Sequence, residues 1–186
     1  MRLMEICVGG PRNIEWQGRT IRTSIFKAPV AGRVRIGRLN VAGDEQSDHR
    51  VHGGPDKAVY AYPSEHYAAW RLELPGADLA WGAFGENLTT EGLLEQEVRL
   101  GDRYRIGTAE LVVTMPRLPC QKLAARFGRR DMIRLFQESG RSGFYLSVAR
   151  EGEAGAGDAI ARLASDPESP TVADSFARHV ARTRSS

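Results

Sequence analysis

Ala109-Glu110-Leu111-Val112-Val113-Thr114-Met115-Pro116-Arg117-Leu118-Pro119-Cys120-Gln121-Lys122-Leu123 is the stretch around which the chain is organised. Residues 109–114 alternate and predict a strand, while Leu123, Ala124 and Phe127 recur at helical spacing. Pro119 has no backbone donor and disfavours helix at Leu118, so the strand must end here. Cys120 therefore falls at a strand-to-helix turn, near the first turn of the helix. The helix N-terminus, with Arg117 and Lys122 nearby, favours thiolate over thiol. A cysteine can also serve as a small buried apolar residue. The two prolines and the flanking cations weigh toward chemistry.

The chain has 186 residues, 41% hydrophobic and 26% charged, which suits one globular domain with a short appendage. Two cysteines far apart, Cys7 and Cys120, make no disulfide framework, and no signal peptide or transmembrane run precedes them. A reducing cytoplasm is the expected compartment. The net charge of +3 is too small to argue for nucleic acid by itself.

Residues 2–8 alternate as a first strand, with Cys7 assigned to packing. Residues 13–27 offer two strand-like runs around Gly18, and residues 34–39 read as a half-buried strand with solvated arginines on its outer face. Residues 43–57 form the longest irregular polar segment, and such loops are often functional. His49 and His52, with Asp44, Glu45, Asp48 and Asp56, could bind a metal, but their spacing matches no strong template. Gly53 and Gly54 suggest close backbone approach, with Lys57 suited to a phosphate at the mouth of the next strand.

Ser64 is the expected N-cap of a helix carrying Tyr67, Trp70 and Leu74 on one face. Residues 84–90 read as a glycine followed by a short strand bearing Glu86 and Asn87. Residues 98–107 read as strand, Gly-Asp turn and strand, with Arg99 facing outward. A helix over 131–139 ends at Gly140, residues 143–149 form a strand, and residues 151–157 a turn. A last strand covers 158–163, and a linker leads to a final helix over 172–181.

Many short strands, glycine turns and few helices predict a mainly β fold: a closed or nearly closed β-barrel with peripheral helices. Parallel βαβ alternation is absent, and there is no GxGxxG fingerprint, which speaks against Rossmann-type nicotinamide or flavin binding.

The chain resembles the MOSC domain family, named for the C-terminal part of molybdenum cofactor sulfurase. The resemblance rests on Gly43-Asp44-Glu45-Gln46, Val51-His52-Gly53-Gly54-Pro55-Asp56-Lys57-Ala58 and Tyr62-Pro63-Ser64-Glu65-His66-Tyr67. It continues through Phe84-Gly85-Glu86-Asn87-Leu88, Leu100-Gly101-Asp102 and Pro116-Arg117-Leu118-Pro119-Cys120-Gln121-Lys122-Leu123. It covers residues 1–164 and is strongest to a bacterial stand-alone subgroup similar to 6-hydroxylaminopurine reductase. That subgroup carries a three-helix appendage, of which residues 165–186 would keep a linker and one helix.

The resemblance implies a pyranopterin molybdenum cofactor with Cys120 as metal ligand and catalytic group. A soft, exposed thiolate suits a metal already held by sulfur. His52, Gly53, Lys57, Gly85, Glu86, Asn87, Arg117 and Lys122 are the implied cofactor-binding positions. Pyridoxal phosphate binding is a second, family-level implication. The expected activity is reduction of N-hydroxylated compounds, hydroxylaminopurine-like bases or amidoximes, with electrons from a separate flavin or iron–sulfur protein. The alternative is a non-catalytic carrier of molybdenum cofactor or sulfane sulfur on Cys120. A third reading, nucleic-acid binding through Arg126, Arg129 and Arg130, lacks the aromatic platforms that stacking needs.

Overall fold

The alternation in residues 109–114 becomes a strand that buries Ala109, Leu111 and Val113 in one core. The structure, a computed structural model, describes residues 1–45 and 54–184. Its strands are β1 (Arg2–Val8), β2 (Arg12–Trp16), β3 (Arg19–Thr23), β4 (Ala28–Pro29), β5 (Arg33–Ile36) and β6 (Val59–Pro63). They continue as β7 (Leu88–Glu91), β8 (Arg103–Ile106), β9 (Ala109–Pro116), β10 (Phe144–Arg150), β11 (Gly152–Gly155) and β12 (Ile160–Ala164). The α-helices are α1 (His66–Glu73), α2 (Gln121–Phe127), α3 (Met132–Ser139) and α4 (Val172–Arg184), and a 3-10 turn spans Pro55–Lys57.

Eight strands form one mixed sheet in the order β12-β8-β9-β10-β6-β7-β1-β4, with β11–β5 and β2–β3 as separate pairs. Among the described residues no sheet closes into a barrel, so the barrel expectation is met only as a large mixed sheet. The two flanks are nonetheless tied by main-chain bonds: Leu3 N–H donates to Asp158 (2.9 Å) and Ile160 N–H to Met1 (3.0 Å).

Alternation along β6 splits the interior. Val59 and Ala61 face one core with Leu3, Ile6, Leu111, Val113 and Phe144. Tyr60 and Tyr62 face the other, where Trp70 of α1, Leu123 of α2, Phe136 of α3 and Phe176 of α4 pack together. Each large side chain buried in this way contributes about 1.5–3 kcal/mol.

Several expectations are corrected. The pair β6–β7 is parallel and is joined through α1, so one strand–helix–strand crossover exists where none was expected. Glu86 and Asn87 precede β7 rather than lying in it. The N-cap of α1 is Glu65; Ser64 O accepts Tyr67 N–H, while the Ser64 hydroxyl donates to Glu65 Oε2 rather than capping the helix. Residues 152–155, read as a turn, form β11 against β5; glycine and alanine conceal a strand whose pairing comes from its partner. Arg99 lies outside the strands, in an isolated bridge with Thr171, and its guanidinium donates to Ser169 O at 2.6 Å, which ties down the segment before α4.

Candidate functional site

Strand β9 ends at Pro116, and its pairing with β10 brings Pro116 opposite Phe144 and Met115 opposite Tyr145. Arg117 N–H then donates to Gly143 O at 3.3 Å, which carries the connection down beside β10. Cys120 follows as the N-cap of α2, extended at φ −141° and ψ 175°, and its carbonyl accepts Leu123 N–H at 2.9 Å. The strand-to-helix turn expected for this cysteine is therefore present. Cys120 is half-buried, whereas Cys7 is fully buried in β1.

Cys120 lines a partly enclosed cleft. Lys57, Gly85, Asn87, Arg117 and Lys122 line the same cleft, so these five expected positions are brought together with Cys120. Glu86 does not line it. His52 and Gly53, with His49 and Asp48 of the suggested metal loop, lie outside the described residues.

The floor is aromatic. Tyr60 on β6 and Tyr145 on β10 are cross-strand partners with ring centroids 5.3 Å apart. Arg117 holds its guanidinium 5.5 Å from the Tyr60 ring, and Lys57 holds its ammonium 6.0 Å from the Tyr145 ring. Such cation–π placements stabilise charge at a desolvated surface. Burial pushes the Tyr60 and Tyr145 hydroxyls above the ordinary tyrosine range, although the Arg117 charge opposes the shift.

One wall is the segment Ser24, Ile25 and Lys27, which the sequence reading did not single out. Lys27 Nζ sits 2.5 Å from Asp44 Oδ2, and Asp44 Oδ1 accepts Gly9 N–H at 2.9 Å. Burial lowers the Lys27 pKa and Asp44 partly restores it. Nothing local in the sequence pairs residues 27 and 44; the signal was only that Asp44 stood in the long polar loop. Gly85 has φ 82°, and a Cβ there would meet Ile25 Cγ1 at 2.7 Å. Its close approach is thus to this wall, a cause the sequence could not reveal.

Asn87 and Glu86 have internal duties. Asn87 Oδ1 accepts Tyr60 N–H at 3.1 Å and its Nδ2 donates to Cys7 O at 3.3 Å, so it bridges β6 and β1 at the cleft's edge. Glu86 is fully buried and accepts from Tyr67 Oη, Gly82 N–H (2.9 Å), Thr89 Oγ1 (3.1 Å) and Phe84 N–H (3.1 Å). Burial raises its pKa, and those donors oppose the shift.

Among the described residues, four cations lining the cleft (Lys27, Lys57, Arg117, Lys122) stand against two carboxylates, Asp44 and Glu45. Two lining groups lack hydrogen-bond partners among the described residues: Arg117 Nη1 and Ser24 Oγ. Arg117 is only 5% exposed, so its spare donor cannot simply turn to bulk water. The arrangement suits an anionic, hydrogen-bonding ligand that reaches a thiol. Among the described residues, no three His, Cys, Asp or Glu side chains converge to hold a metal ion.

The MOSC domain family model matches residues 48–161. The chain belongs to the MOSC domain family. YflK of Bacillus subtilis (strain 168) is 43% identical to this MOSC chain over 155 residues, covering 83% of this chain and 70% of YflK. YiiM of Escherichia coli (strain K12) is 42% identical over 157 residues, with 83% and 70% covered. A protein named "Reductase" from Gibberella moniliformis (strain M3125 / FGSC 7600) is 36% identical over 149 residues. They are 78% of this MOSC chain but 26% of that protein. The crystal structure of YiiM from Geobacillus stearothermophilus superposes with a TM-score of 0.78 at 35% identity, covering 98% of this chain and 84% of that one. Among the described residues of this MOSC chain, no helix is long and apolar enough to cross a membrane.

Proposed function

We propose that this MOSC chain binds a pyranopterin molybdenum cofactor in the cleft and reduces N-hydroxylated compounds, hydroxylaminopurine-like bases or amidoximes. The observation that carries the reading is one cleft containing a half-exposed thiol, Cys120, and a buried guanidinium, Arg117, with a spare donor. Family membership supports the cofactor, and the relative named "Reductase" supports the class of reaction.

The residues present fit the group. Among the described residues Cys120 is the only thiol lining the cleft, and it would be the protein's ligand to the metal. Arg117, Lys57 and Lys122 would hold the phosphate, and Ser24 Oγ is a spare polar partner for the pterin. Tyr60 and Tyr145, with their rings tilted 42° to each other, would offer the ring system an aromatic, water-excluding floor. When bound, the cofactor supplies a two-electron change at its metal. The reaction breaks one N–O bond, takes up two electrons and two protons, and releases an amine (or amidine) and water. These 186 residues have no GxGxxG fingerprint and too few cysteines for an iron–sulfur cluster, so the electrons would come from a flavin or iron–sulfur group outside them.

The second reading is a carrier of cofactor or sulfane sulfur, favoured by the half-exposed position of Cys120, from which a cargo could be handed on. Both readings are tested by making the protein in hosts competent and deficient in cofactor synthesis and measuring metal and pterin. Equimolar molybdenum and pterin, with turnover of 6-hydroxylaminopurine on addition of reduced viologen, are expected from the competent host alone. Folded protein without metal from that host would overturn the proposal. Bound cofactor without turnover of any N-hydroxylated compound would leave the carrier.

A further inference from the structure

We propose that the hairpin β2–β3, together with the outer face of α2, is the docking surface for a small acidic electron-carrier protein. This inference rests on the reductase reading, because only a chain that must receive electrons needs such a surface beside its cleft.

The hairpin is a two-stranded sheet outside the main one, closed by a tight turn at Gln17 (φ 52°) and Gly18 (φ 73°). Its register pairs Trp16 with Arg19 and Asn13 with Arg22. Trp16 Nε1 donates to Gln121 Oε1 at 3.3 Å, so the hairpin touches the residue directly after Cys120. Electron transfer weakens steeply with distance, and this contact puts the hairpin at the rim that the thiol occupies.

The surface is basic and poorly neutralised. Arg12, Arg19 and Arg22 are exposed, as is Arg130 beyond α2. Arg19 and Arg22 enter no ion pair among the described residues. Arg12 and Arg126 stack on the same ring, Phe26, with guanidinium carbons 3.3 and 4.8 Å from its centroid. Arg126 Nε is buried without a partner among the described residues, and its nearest carboxylate, Asp78, reaches only 3.9 Å and is 78% exposed. Glu15, the acid of the hairpin itself, accepts from Thr20 Oγ1 and keeps its charge, so the hairpin sets three arginines against one carboxylate. Like charges gathered on one face repel each other and are stabilised by a partner of opposite sign, which also steers the encounter. The half-buried Trp16 supplies an apolar anchor amid the charge. A nucleic acid would also meet the charge, but the face offers no row of stacking aromatics.

The test titrates purified flavodoxin, an acidic flavin carrier, into the cofactor-loaded full chain and into Arg19→Glu/Arg22→Glu. Arg105→Glu, an exposed position on β8, is the control. Wild type and control should bind at low salt and weaken as salt is raised, while the double variant should bind about tenfold or more weakly with an unchanged melting curve. Equal affinity for wild type and double variant would overturn the proposal. So would tighter binding of a short single-stranded oligonucleotide that the same double variant loses. Viologen-driven turnover bypasses docking and should be equal in all three proteins. Its absence from wild type would defeat the reductase reading, while the titration still decides the surface.

Discussion

Lys27 and Asp44 form an ion pair at 2.5 Å inside the cleft wall, with 9% and 2% of their side chains exposed. Removing one partner of a buried pair leaves the other uncompensated. Asp44→Asn should therefore destabilise the protein by about 3–5 kcal/mol, read as a lower urea midpoint. Burial already lowers the Lys27 pKa, and the variant loses the Asp44 charge that opposes that shift. A depressed folded pKa means that the unfolded chain binds the proton more tightly, so stability returns as pH rises toward 10.5. An Asp44→Asn midpoint that is flat with alkaline pH, or equal to wild type, would contradict the pair's role.

Glu86 has the opposite sign. Its folded pKa is raised above 4.5, chiefly by burial, so its contribution is fully present below pH 4.5 and is lost as pH rises through the folded value. Glu86→Gln abolishes this dependence and also loses acceptor capacity toward Tyr67, Gly82, Thr89 and Phe84. The wild type should exceed the variant in melting temperature most at acid pH, with the gap narrowing toward neutrality. A gap that widens with pH would show that the carboxylate's pKa is depressed.

The two cysteines should separate stability from function. Cys120→Ser is expected to abolish reduction and metal retention with little change in melting temperature, since the side chain stands half-exposed at a helix cap. Cys7→Ser places a hydroxyl in a fully buried strand position and should cost about 1–3 kcal/mol while sparing activity. Thermal melts and metal analysis of both variants check this, and equal activity in wild type and Cys120→Ser would remove the thiol from the mechanism.

Lys57→Ala removes one charge-assisted contact to a bound phosphate. Such contacts contribute about 1.5–3 kcal/mol, so cofactor affinity should fall roughly ten- to a hundredfold. Arg99 would be a poor control because it anchors Ser169. Arg105→Ala, exposed on β8, serves better. Cofactor retention after gel filtration is the measurement. If Lys57→Ala retains cofactor as well as Arg105→Ala, the phosphate belongs with Arg117 and Lys122.

Much of this was legible because local rules and tertiary context agreed. Alternation identified β9, and Pro119 with the apolar spacing beyond it placed Cys120 at the head of α2. Gly140 marks the end of α3, where it adopts φ 69° as a helix C-cap. The failures share a physical cause. β11 is made of residues with low strand propensity, and the parallel β6–β7 pair depends on a crossover that no short window contains. The Lys27–Asp44 pair and the Ile25–Gly85 contact join distant segments, so neither wall residue carried a local signal. Asn87 was legible as a residue of the site region, but its amide serves the strands on either side of it.

The breadth of the cleft is governed by a missing methyl group. A Cβ at position 85 would lie 2.7 Å from Ile25 Cγ1, and φ 82° already disfavours any side chain there. Alanine would push Ile25, itself a lining residue, out of its seat, and the space available for displacement is the cleft. Position 85 therefore acts as a gauge on the thickness of what can slide in next to Cys120. Engineering that aims to admit bulkier molecules should begin by trimming Ile25 and leave the glycine alone.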